Sequence, residues 1–210
     1  MNETIQSISD QEKEALKFLE RDFNQCFQQV RHYDAQIFDI LKFMFAAYSA
    51  LIGVAIGLYQ FGLKEGKDLT FPAVAALIVG LVIGLFMFAL TIRNRVYFVQ
   101  VARYINEQRD FFFRFQPMGF ENKSKMYTNH NQPPYFNWRS SHSWLCYIIA
   151  TLNSILLGIL LFIIFAPNAY RQEIIIIGSL VLFIAQLAVA IRYLTTRENK
   201  SASKAVFGKE

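Results

Sequence analysis

The chain has 210 residues, of which 54% are apolar and 16% aromatic, with 21 Phe and a net charge of +5. Four long apolar runs exclude a soluble domain, because so short a chain has too little polar surface to cover helices that are apolar all round. The charge lies almost wholly outside those runs, so it reports orientation before it reports partners.

Residues 1–39 are polar, mixed in charge and unlike a cleavable signal peptide, so the first span is expected to serve as an uncleaved signal anchor. Ser9 and Glu12 fit a capping box, which predicts a helix from about Asp10. No Gly or Pro interrupts it before Gly53. Leu16, Leu19, Phe23, Cys26, Val30, Tyr33, Ile37 and Ile40 alternate steps of three and four, a coiled-coil-like seam that runs into the first apolar segment.

The apolar runs are Ile40 to Gly62, Phe71 to Ile92, Leu145 to Phe165 and Ile174 to Leu194, with 23, 22, 21 and 21 residues. A bilayer core of ~30 Å needs about 20 helical residues, so each run can span. Lys42 and Arg192 sit near span ends, where long side chains reach the headgroups. Phe71 and Pro72 open the second span, and Pro167 with Asn168 closes the third. Gly53 with Gly57 and Gly80 with Gly84 form two GxxxG motifs, which let helix backbones approach closely, either within one chain or between copies. Asn153 and Gln186 are the most polar side chains deep in the spans. Interhelical hydrogen bonds are expected for them ahead of a pore lining.

After the second span a further seam, Phe98, Val101, Ile105, Gln108, Phe112 and Phe115, leaves the membrane and is expected to stop at Gln116 to Gly119. The two seamed helices should lie antiparallel, with Asp39 near Arg93 or Arg95 and Glu20 or Asp22 near Arg109 or Arg114. Residues 116–143 form a long loop carrying Phe120, Tyr127, Tyr135, Phe136 and Trp138, too aromatic for a solvated linker. Tyr127, Tyr135 and Phe136 are candidate protein contacts, and Trp144 suits the headgroup level.

Lys and Arg divide 18 to 3 between the polar segments with Lys42 and the two short connections. With an even number of spans, this sets both termini and the middle loop in the cytosol. Cys26 and Cys146 then lie on or near the reducing side, where a disulfide is not expected. The three histidines and two cysteines show no metal-ligand spacing, and no nucleotide-binding or nucleophile motif is present, so neither an enzyme nor a cofactor is expected. The five arginines from Arg93 to Arg114 are explained by the acidic partner helix and lipid phosphate without a nucleic-acid partner.

A helix entering two spans and a basic, aromatic one leaving them, marked by Arg31, His32, Tyr33 and Asp34 and by Arg93, Arg95, Tyr97, Arg103 and Tyr104, resembles the SLATT class of small bacterial membrane effectors. The likeness covers residues 10–116, and the second hairpin departs from a simple two-span version. It implies a homo-oligomeric protein of antiviral defence that perturbs the bilayer or forms a pore when a cytosolic protein partner triggers it. No functional residue is carried over.

The expected architecture is all-α: a cytosolic helix (1–39), a transmembrane hairpin (40–92), a cytosolic helix and aromatic loop (93–144), a second transmembrane hairpin (145–194) and a cytosolic tail (195–210). Its expected role is that of a bacterial inner-membrane effector or sensor, with a non-conducting membrane scaffold as the alternative.

Overall fold

The structure, a computed structural model, describes residues 9–115, 119–125, 127–165 and 168–200. They form helices α1 (Asp10–Glu65), α2 (Thr70–Phe113), α3 (Ser141–Ile164) and α4 (Arg171–Thr195), with no strand among the described residues. All four are long and apolar enough to cross a membrane, the architecture of an integral membrane protein.

α1 runs unbroken for 56 residues. Its start is the expected capping box: the Ser9 amide donates to Glu12 Oε2 at 2.8 Å, and the Glu12 amide donates to Ser9 Oγ at 3.3 Å. It stops because Gly66 adopts a left-handed φ of 63°, which lets the Lys67 amide turn back to the Gly62 carbonyl at 3.0 Å. Asp68 Oδ1 then accepts from the Thr70 amide at 3.0 Å, turning the chain into α2. Pro72 lies in that helix's first turn, where its missing N–H removes no helical bond.

α2 ends at Phe113, two residues before the end of its expected seam, and Phe115 is 68% exposed. Gln116, Pro117 and Met118, expected to stop it, lie outside the described residues, as do Pro167 and residues 201–210 of the tail. α3 starts earlier than its apolar run, at Ser141, because Ser140 Oγ caps it by accepting from the Ser143 amide.

The chain divides into two compact units: the described residues of Met1–Asp34 with Tyr97–Pro134, and those of Ala35–Val96 with Tyr135–Glu210. Tyr135 to Trp144 belongs with the spans because its backbone bonds there, as described below.

In the first, polar unit α1 and α2 run antiparallel: Tyr33 stacks on Tyr97 with ring centroids 6.0 Å apart, and Asp22 meets Gln108. Cys26 and Ile105 are buried, while Leu19, Phe23, Val30, Phe98, Val101 and Phe112 are half-buried. Leu16, expected to begin the seam, is exposed. In the second, apolar unit the α1 seam continues through Ile37, Met44, Tyr48 and Ala55, all buried. Here α3 and α4 approach through single glycines: a Cβ on Gly158 would stand 2.9 Å from Ser179 Oγ, and one on Gly178 would stand 2.6 Å from Leu161 Cδ1. Lipid gives little hydrophobic reward for helix contact, so such close backbone packing supplies much of the attraction.

Candidate functional site

The most organised chemistry in the apolar unit is a chain of side-chain hydrogen bonds across three helices. Tyr48 of α1 donates its hydroxyl to Asn153 Oδ1 of α3, and Asn153 Nδ2 donates to Gln186 Oε1 of α4 at 2.6 Å. Gln186 Nε2 ends the chain by donating to the Leu182 and Ala150 carbonyls at 3.3 and 3.4 Å. Asn153 is 0% exposed, and no buried polar atom of the three residues lacks a partner. In a low-dielectric interior a satisfied network of this kind specifies one arrangement, while a broken one leaves costly orphan groups.

The fourth helix contributes its absence of a side chain. A Cβ added at Gly84 of α2 would collide with the Tyr48 hydroxyl and Asn153 Oδ1 and would stand 2.8 Å from Tyr48 Cζ. Gly80 faces Leu51 of α1 and Leu156 of α3, at 3.0 and 3.1 Å from the position of such a Cβ. Gly84 of the second GxxxG motif is therefore the seat on which the polar chain rests, and Gly80 takes the neighbouring apolar contact. Gly53 and Gly57 differ: both are exposed, with nothing within 4 Å of an added Cβ.

Sequence reasoning found Asn153 and Gln186 as interhelical bonding groups and missed Tyr48. A tyrosine in an apolar run reads as bulk, and only its spacing on the buried stripe, four residues after Met44, signals an inward ring. Gly158 and Gly178 were also missed, because one close contact per helix leaves no repeated motif.

A second arrangement joins the start of the α3 connection to the chain beyond α4. Arg95, 6% exposed, donates Nε to the Tyr135 carbonyl at 3.1 Å, and the Tyr135 amide donates to Glu198 Oε2 at 3.0 Å. Tyr135 is buried against its own chain, so it is not a surface for a partner. Phe136 is half-buried and packs edge-on to Trp138 at 4.9 Å. Trp138 and Trp144 are both 61% exposed. Nearby on α3, His142 and Cys146 are buried, with Cys146 Sγ 3.6 Å from His142 Nε2.

In the polar unit the loop folds back on α2. Asn106 Nδ2 donates to the Asn129 and Gln132 carbonyls at 3.1 and 2.7 Å, and Arg103 Nε donates to the Pro133 carbonyl at 3.1 Å. The Arg109 guanidinium lies over the rings of both Phe23 and Tyr127, at 5.5 and 5.2 Å, so Tyr127 touches its own chain while staying 62% exposed.

Of the charged groups expected to face each other across the two helices, Glu20 and Arg109 line one cleft, and others have partners besides the expected ones. Asp22 accepts from Gln108 Nε2 at 2.7 Å and from the Tyr104 hydroxyl at 2.8 Å, Arg114 pairs with Asp110 on its own helix, and Asp39 pairs with Lys42. The bond to Asp22 pushes the Tyr104 hydroxyl above its ordinary pKa, and burial, reinforced by the same carboxylate, raises the Cys26 thiol. Both groups stay protonated near neutrality.

Among the described residues no group of three or more His, Cys, Asp or Glu is placed to hold a metal ion, and Cys26 and Cys146 are free thiols. Comparison with protein-family models, curated proteins and solved structures finds no match to this chain.

Proposed function

We propose that this protein is a homo-oligomeric effector or sensor of a bacterial inner membrane, a closed pore-former of a defence or stress system controlled through its cytosolic helices. The observation that carries the reading is the continuity of α1 and α2, each of which supplies residues to both units without a break. A disturbance of either helix in the polar unit is then passed along a hydrogen-bonded rod instead of being absorbed by a loop. The Tyr48–Asn153–Gln186 chain is the closed state's lock, and the open Gly53 and Gly57 face of α1 is where copies meet. The 18 to 3 division of basic residues supports cytosolic termini, and the likeness to SLATT effectors supports a role in defence.

The test is dye release from liposomes holding the purified full chain, with and without cytosolic extract. Release is expected only with extract, and Phe23→Asp with Val30→Asp should abolish the response while leaving insertion intact. The exposed rings of Phe18, Phe115, Phe120 and Tyr127 favour a second reading, a non-conducting scaffold that recruits a soluble protein. If neither condition gives release above empty liposomes, the scaffold reading replaces the effector.

A further inference from the structure

A groove of about 900 Å³ opens between α1, α3 and α4 in the apolar unit, walled by Ile56 and Leu63, Ile155 and Phe162, and Ile176 and Leu180. Its volume lies in the range of ligand sites, about 300 to 1,000 Å³. The hydroxyls of Thr151 and Ser154 in its lining donate to the Tyr147 and Ala150 carbonyls of their own helix at 2.8 Å, the other polar residues there are Tyr59, Gln60 and Ser179 among a majority of apolar ones, and no carboxylate or cation lines it. The interior therefore suits hydrocarbon. At the end bounded by Phe162 stands a cation, Arg171, whose Nε and Nη2 both donate to the Phe162 carbonyl at 3.0 and 2.7 Å while its guanidinium covers the Phe162 ring at 3.4 Å. Those two bonds fix the fork in place and leave its remaining N–H donors for an anion.

We propose that this groove binds one phospholipid, with an acyl chain between α1, α3 and α4 and its phosphate on Arg171. An anchored guanidinium at the mouth of an apolar slot complements the phosphate of a phospholipid, a group that an uncharged lipid lacks. A helix of a second copy fits less well: of the small residues in the lining, Gly158 already packs on Ser179 Oγ and Ser154 bonds its own helix, and large side chains such as Ile155, Phe162, Ile176 and Leu180 make up much of the rest. The inference is independent of whether the protein conducts.

The test is native mass spectrometry of the purified full chain with added phosphatidylglycerol or with diacylglycerol of the same acyl chains. One phosphatidylglycerol per chain should survive delipidation. Ile155→Trp and Ile176→Trp, at lipid-exposed positions on opposite walls, should each fill the slot and lower retention about tenfold, with the helical circular dichroism unchanged. Arg171→Gln should remove the preference for phosphatidylglycerol over diacylglycerol, about tenfold for a charge-assisted hydrogen bond. Failure to retain any lipid overturns the proposal, as does retention by both Trp variants at the wild-type level. If the Trp variants change the oligomeric mass and leave lipid retention alone, the groove belongs to a second copy. Equal binding of the two lipids by the wild type overturns the role of Arg171.

Discussion

Two GxxxG motifs of identical spacing lie on the hairpin of α1 and α2, and they meet opposite environments. Gly80 and Gly84 are buried where three helices converge, and Gly84 lies directly under the Tyr48–Asn153 bond; Gly53 and Gly57 face open space. The motif grants close approach, and the neighbours decide whether it is used within the chain. In α2 the approach is taken up by side chains of α1 and α3, apolar at Gly80 and polar at Gly84. In α1 it is left open.

The contrast is broken most severely by Gly84→Leu, which forces a branched side chain into the polar chain. Overpacking typically costs about 1 to 3 kcal/mol. A loss at or above the top of that range is expected here, because the colliding atoms are hydrogen-bonded and cannot withdraw freely. The check is the SDS concentration at which the detergent-solubilised protein unfolds.

Asn153→Leu comes next, leaving the Tyr48 hydroxyl and Gln186 without their shared partner. Orphaned buried groups cost about 1 to 3 kcal/mol, while the net worth of an interhelical bond in a membrane averages only ~0.6 kcal/mol. The same titration should show a loss nearer the first figure, and Asn153→Leu with Gln186→Leu should lose less than the sum of the single changes.

Gly53→Leu with Gly57→Leu should move the unfolding midpoint by no more than about 0.5 kcal/mol, as for open surface sites. It should instead reduce the oligomer seen by crosslinking in native membranes. A fall in chain stability equal to that of Gly84→Leu would erase the contrast.

The smallest effect lies at the start of α1. Hydrogen bonds from Ser9 hold the Glu12 carboxyl below its usual range, so its capping contribution is complete above the ordinary glutamate pKa and is lost as the pH falls through the lowered value. Amide exchange in the first turn, measured relative to mid-helix amides, should accelerate only on such acidification.

Helix positions were legible because length and apolarity answer to the bilayer, and the capping box at Ser9 answers to backbone chemistry alone. The antiparallel seams were legible from their 3.5-residue period, apart from their outer ends, where Leu16 and Phe115 are exposed. Some partners of charged groups carry no such signal: Arg95 bonds a backbone carbonyl, which has no residue signature, and Arg109 lies over two rings. Tyr135 was read as a surface for a partner because an aromatic in a long loop has no periodicity to reveal that it is buried. Asn153 and Gln186 stood out because amides are expensive in lipid; the glycine that seats them was visible only as half of a motif.

The most direct test of the account is whether the Tyr48 hydroxyl is what Gly84 accommodates. Unfolding midpoints of Gly84→Ala should be compared in the wild-type background and in Tyr48→Phe, with Gly57→Ala as the control in both. Removing the hydroxyl takes away the atom that a Cβ at position 84 strikes first, so Gly84→Ala should cost clearly less in the Tyr48→Phe background, while Gly57→Ala changes nothing in either. An equal cost of Gly84→Ala in both backgrounds would contradict the seated polar chain.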